Sequence, residues 1–206
     1  MNEYSFIFVN KMRVRDENKE AAIREKAMKM IVEHGFDGLS MQKLAKAANV
    51  SPATIYIYYK NREDLLNQLF NYTQQTFFEV ALKGFNQHNS LEQGLWLQWT
   101  NRLKFILKYP VHFQFIEQFK NSPCINHNDV KLSNFKESMK WFVQNAIKKG
   151  ELKKMEPELF WSIAYGPFYA LVKFHLQEIT VMGNNFKLTE AKMRLTFDMV
   201  IKVLKP

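Results

Sequence analysis

Glycine and proline are scarce in this chain, seven and six among 206 residues. They are the main punctuators of turns, and an ordinary protein carries about twice that combined share. Few turns mean long elements, which points to helices. The apolar spacing agrees. Over 17–34, Ile23, Ala27, Met30 and Ile31 form the i, i+4, i+7, i+8 stripe of an amphipathic helix. Leu91, Leu95, Trp99, Leu103 and Leu107 repeat it over 91–108, and Phe135, Met139, Phe142 and Ala146 over 131–149. Further helices are predicted over 41–48, 52–59, 62–86, 111–120, 156–178 (kinked at Gly166-Pro167) and 189–205. The predicted fold class is all-α, with about nine helices and no convincing strand.

With 47% hydrophobic and 24% charged residues, the chain can build a core, which excludes disorder. No apolar run approaches the ~18 residues that cross a bilayer, and one cysteine, Cys124, cannot make a disulfide framework. The expectation is a soluble, cytoplasmic protein. The net charge of +9 admits nucleic acid, a membrane surface or an anionic ligand as partner. Where the charge sits decides among them.

Residues 39–60, LSMQKLAKAANVSPATIYIYYK, read as a helix, a tight turn and a second short helix. Ser40 caps the first, Asn49 tolerates the left-handed backbone of the turn, and Ser51-Pro52 starts the second. This is the helix-turn-helix plan, whose second helix enters the DNA major groove. From Gly38 to Arg62 there is no Asp or Glu, while Lys43, Lys46, Lys60 and Arg62 are present. A phosphate-facing surface requires that segregation.

The stretch from Asn18 to Phe70 resembles the DNA-binding domain of the TetR family of bacterial transcriptional regulators. The resemblance rests on His34-Gly35-Phe36, Leu39-Ser40-Met41-Gln42-Lys43-Leu44-Ala45, Val50-Ser51-Pro52-Ala53-Thr54-Ile55-Tyr56 and Tyr58-Tyr59-Lys60-Asn61-Arg62-Glu63-Asp64-Leu65-Leu66, in register. Asn49 stands where the family often has Gly, and Tyr58-Tyr59 replaces its commoner His/Tyr-Phe pair. Lys11, Arg13 and Arg15, ahead of the first helix, mark 1–15 as a basic arm, or as upstream sequence if translation begins at Met12. The resemblance implies a three-helix DNA-binding domain at 16–62 and a larger helical effector-binding and dimerisation domain at 63–206. It implies that Gln42 and Lys43 meet DNA from the first helix of the pair. Pro52, Ala53, Thr54 and Ile57 would lie at the major groove, with Tyr56, Tyr58 and Lys60 on phosphates. Tyr59 is expected in the core, and Thr54 and Tyr58, four apart, on one exposed face.

Residues 61–206 hold 23 of the 30 aromatic residues. Such a region can wall an apolar cavity, and Trp96, Trp99, Phe115, Phe142 and Tyr165 are the expected wall, with Lys104, Lys108, Lys140 and His112 near a ligand carboxylate. For any single ring, plain core packing is the simpler account. The last helix is apolar on more than one face, which predicts one face inside the subunit and one against a twin. Phe197 and Leu204 are the expected subunit contacts. The histidines, His34, His88, His112, His127 and His175, form no i, i+4 pair, so no metal or cofactor is expected. The leading reading is a ligand-responsive repressor, binding a pseudo-palindromic operator as a homodimer and released by a small, mostly apolar or aromatic effector, with no membrane partner. An all-helical enzyme or lipid carrier using the aromatic region is the alternative, and a regulator answering to a protein partner is a third possibility.

Overall fold

The computed structural model describes residues 16–120, 122, 133–178, 183 and 185–206. The predicted basic arm, Cys124 and His127 lie outside these residues. Among them the chain forms nine α-helices and one short 3-10 turn, with no strand. The helices are α1 (Glu17–His34), α2 (Met41–Ala47), α3 (Pro52–Tyr58), α4 (Arg62–Ala81) and α5 (Leu91–Lys108), then α6 (Pro110–Lys120), α7 (Ser133–Lys148), α8 (Pro157–Gln177) and α9 (Glu190–Leu204).

Local sequence accounts for most boundaries. Asp16 caps α1 by accepting from the Asn18 and Lys19 amides, and Gly35 takes the positive φ that ends it. The buried face of α1 is Ile23, Ala27, Met28 and Ile31. Met28 takes the place expected for Met30, which is only partly buried. Helix α4 stops at Ala81, short of the predicted 86. Gly84 turns the backbone with φ 74, and the Asn86 and Asn89 side chains accept from nearby amides, diverting the chain from the helical ladder. A reciprocal Ser90–Gln93 capping box then starts α5. Helix α8 runs from Pro157 to Gln177 as one helix with Pro167 inside it.

One contiguous apolar core runs from Ile23 to Leu204. Helices α1 to α3 form a head, and α5 to α9 a larger body. Helix α4 serves both, burying Leu65 and Leu66 toward its start and Phe77 and Ala81 toward its end. Helix α5 packs against α4, α6, α7 and α8, while α8 packs against α9. Helix α6 lies against α1, so body and head meet along a helix pair. Phe119 of α6 anchors that junction, stacking on Phe70 at 4.4 Å and meeting Phe36 edge-on at 5.8 Å.

Candidate nucleic-acid interface and effector cleft

The turn between α2 and α3 is closed by backbone geometry. Asn49 has φ 53, a conformation that asparagine adopts at little cost. The Val50 amide donates to the Ala45 carbonyl and the Asn49 amide to that of Lys46, the paired bonds of a Schellman ending. Ser51 then caps α3, accepting from the Thr54 amide at 3.2 Å, with Pro52 in the first turn. Leu44, Ala45 and Ile55 are buried between the two helices and fix their crossing.

That packing decides which side chains remain outside. Gln42, Lys43, Lys46, Pro52, Ala53, Tyr56, Ile57 and Lys60 are exposed and Thr54 is half-exposed. Tyr56 is 54% and Ile57 42% exposed, an unusual amount of apolar surface for one short helix. The Thr54 hydroxyl is 2.9 Å from that of Ser51. Among the described residues no carboxylate oxygen lies within 4.0 Å of the Lys43, Lys46 or Lys60 ammonium groups.

Two residues depart from the sequence expectation. Tyr58 is buried, and its hydroxyl pairs with the backbone of Asp16 at 3.2 Å, tying α3 to the start of α1. It therefore does not share an exposed face with Thr54. Arg62 donates from Nε to the Leu39 carbonyl at 3.2 Å and from Nη2 to the Phe36 carbonyl. Its charge secures the loop before α2 and is not part of an open phosphate-facing set.

Where the body meets the head, a cleft of about 650 Å³ opens between α1, α6 and α8, with Val32, Phe113, Glu117, Gln118, Tyr169 and Lys173 in its walls. None of the five expected wall residues lines it. Trp99, Phe115, Phe142 and Tyr165 are fully buried, and half-buried Trp96 packs edge-on against Phe197. The Trp99 indole donates to the Ala164 carbonyl at 2.8 Å, which clamps α5 to α8 one turn before Pro167. Phe142 lies so close to Gly94 that a Cβ there would collide with its ring. These rings are core because facing helices leave them no space. Nor do Lys104, Lys108, Lys140 or His112 line the cleft. His112 is buried, with Nε2 3.1 Å from the Glu25 carboxylate of α1.

Phe197 and Leu204 also need correction. Both are completely buried within a single chain, Phe197 against Trp96 and Trp99. The apolar face of α9 that remains outside is Leu195, Met199 and Val203, each more than half exposed, alongside exposed Leu159 on α8. Sequence shows two stripes but not which one faces inward.

Sequence reasoning missed a polar group inside the body. Arg102 donates from Nη1 to the Tyr169 hydroxyl at 2.8 Å and from Nη2 to Gln98 Oε1 at 3.4 Å. The Tyr165 hydroxyl donates to the same Gln98 oxygen at 2.7 Å. Burial pushes the Tyr165 phenol well above its ordinary pKa, with the nearby Arg102 charge opposing. On a helix of mixed polarity an arginine reads as a solvated side chain, and no local signal marked this one. Among the described residues no group of three or more His, Cys, Asp or Glu is placed to hold a metal.

Similar proteins agree with the helix-turn-helix. Residues 23–69 match the model for bacterial regulatory proteins of the tetR family. A TetR family transcription regulator from Marinobacter aquaeolei VT8 is 30% identical, with a TM-score of 0.80, over 94% of this chain and 99% of that one. An HTH-type transcriptional regulator from Haemophilus influenzae is 28% identical over 138 residues, 66% of this chain and 72% of that protein. The fatty acid metabolism regulator protein of Bacillus subtilis is 28% identical over 148 residues, 72% and 70% of the two chains. The Marinobacter and Haemophilus relatives are transcription regulators. The chain belongs to the TetR family, as a transcriptional regulator with a DNA-binding helix-turn-helix in its head.

Proposed function

We propose that this regulator binds a pseudo-palindromic operator as a homodimer, represses from it, and is released by a small, mostly apolar effector held in the body. The head is taken as residues 16–62 and the body as 63–206. The observation that carries the DNA half is the acid-free stretch of α2 and α3, where, among the described residues, the ammonium groups of Lys43, Lys46 and Lys60 have no carboxylate within 4.0 Å, beside exposed Tyr56 and Ile57. Gln42, Lys43 and Lys60 position the head on phosphates, with the Tyr56 hydroxyl; Pro52, Ala53, Thr54 and Ile57 face the base edges. Backbone contacts set register, while apolar side chains meet thymine methyl groups.

The effector half rests on where the cleft lies. Its α6 wall is also the helix that packs on α1 and carries Phe119 into the head junction. Gln118 donates to the Val32 carbonyl, and His112 meets Glu25 across the same helix pair. A ligand that wedges α6 away from α8 therefore moves α1, provided it binds that state more tightly than the DNA-bound one. The name of the Bacillus subtilis relative, a fatty acid metabolism regulator, supports an effector with an acyl chain. Twin copies of α8 and α9 would cover Leu159, Leu195, Met199 and Val203 across an isologous contact. A gel shift on DNA from the protein's own promoter region, followed by titration of apolar and aromatic acids, tests this. Release by such compounds is expected; release only by a strongly cationic or sugar-like compound contradicts the effector assignment.

A further inference from the structure

The body buries a positive charge without a counter-charge. Arg102 on α5 is 1% exposed. Its two hydrogen bonds go to neutral groups, the Tyr169 hydroxyl and the Gln98 amide oxygen, and its Nε has no partner. Among the described residues no carboxylate oxygen lies within 4.0 Å of it. A guanidinium stays protonated inside a protein, and an unpaired buried ion is costly. The rings of Tyr165 and Phe77, with centroids 4.5 and 5.2 Å from Cζ, offset part of that cost. They bring no net negative charge. An apolar side chain of similar volume would fill the space more cheaply. What arginine adds is a planar fork matched to a carboxylate.

Tyr169 connects this group to the cleft. Its hydroxyl sits on Arg102 while its half-buried ring forms part of the cleft wall, stacked parallel to Phe113 at 6.1 Å. Turning Tyr169 toward the cleft would uncover the Arg102 fork and vacate the position of one acceptor oxygen. The lining beyond it is mixed: Phe113 of α6 and Ala170 and Leu176 of α8 are apolar, while Glu117 and Lys173 bring one charge of each sign.

We propose that Arg102 is the anion-recognition residue of the effector site, taking the carboxylate of an apolar acid whose body lies between α6 and α8. Tyr169 holds that place in the unliganded protein. This rests on the body binding an effector. Uncharged esters of the same acids lack the charge that the site is built to pair.

The test titrates the full chain with hexanoate, decanoate and phenylacetate, their methyl esters, and inorganic phosphate, following tryptophan fluorescence and the thermal midpoint. At least one acid should bind saturably, its ester at least ~10-fold more weakly, as loss of a charge-assisted contact implies. Arg102→Met should lose that preference for acid over ester while its midpoint stays at or above wild type. Tyr169→Phe should bind the acid more tightly, because it removes the competing hydroxyl; a purely structural network predicts no gain. Equal binding of acid and ester, no binding by any acid, phosphate binding as strong as the acids, or an unaltered preference in Arg102→Met would each overturn the assignment. If Arg102→Met fails to fold, the acid–ester comparison and Tyr169→Phe decide it. Acid binding without operator release would sink the regulatory reading and leave this site standing; operator release by a neutral compound, with no acid bound, would do the reverse.

Discussion

Lys60 is exposed two residues past the end of the reading helix, and among the described residues no carboxylate oxygen lies within 4.0 Å of its ammonium group. As a phosphate contact it contributes to binding through counterion release. Lys60→Ala should weaken binding alike on all sequences and flatten the plot of log affinity against log salt by about one unit. Anisotropy titrations at several salt concentrations would show this, and an unchanged slope removes Lys60 from the interface. Thr54→Ala should change sequence preference, although part of its effect will be loss of the Ser51 hydroxyl contact. Asn49 tests the turn itself. Its φ of 53 suits asparagine, so Asn49→Val should cost roughly 1–2 kcal/mol in urea unfolding, with Asn49→Gly close to neutral. Asn49 was legible in sequence because the constraint is local. The burial of Tyr58 was not, because its partner Asp16 is 42 residues away.

At the scale of the element, α9 separates the two meanings of an apolar stripe. Phe197 is core, so Phe197→Ala should cost about 3–5 kcal/mol and Phe197→Glu should unfold the chain. Met199→Glu lies on the outer face and should leave the fold intact while shifting the protein toward monomer in sedimentation. A dimeric Met199→Glu would move the subunit contact elsewhere. The ion pair of Glu92 on α5 with Arg194 on α9, 2.8 Å apart, carries a pH dependence. The Glu92 carboxyl is held below its ordinary pKa first by the Arg194 hydrogen bond and then by Lys205, against a desolvation penalty. A lowered folded-state pKa stabilises above the unfolded value, and that stability is lost as pH falls through the folded one. Glu92→Gln should therefore flatten the loss of thermal stability at acid pH, by a small amount because the pair is solvated. Helix positions and most caps could be read from periodicity and from Ser, Asp and Pro. Which face of α9 turns inward, and which rings close on each other and not on a cavity, depends on facing helices that no local window contains.

The molecule as a whole joins two parts through α4, which packs in both, and through the α1–α6 helix pair. The acid-free reading surface lies on the head, and the cleft lies where α6 and α8 of the body meet α1. The DNA-binding surface was visible in sequence because charge segregation and turn chemistry fall within about 25 contiguous residues. The cleft was not, since its walls come from three helices spread over the chain, and the aromatic residues that suggested a cavity fill the core instead. Arg102 was equally hidden, its environment being assembled from α4, α5, α7 and α8.

The most direct test of dimeric, sequence-specific DNA binding is one anisotropy experiment. It compares promoter-region DNA carrying the full pseudo-palindrome with the same DNA carrying a single half-site, from 50 to 200 mM salt. The account predicts two protomers per full site, much weaker binding to the half-site, and an affinity that falls steeply with salt, by ~10³-fold or more if about six phosphates are neutralised. Equal affinity for full, half and scrambled sites, or affinity indifferent to salt, would contradict it.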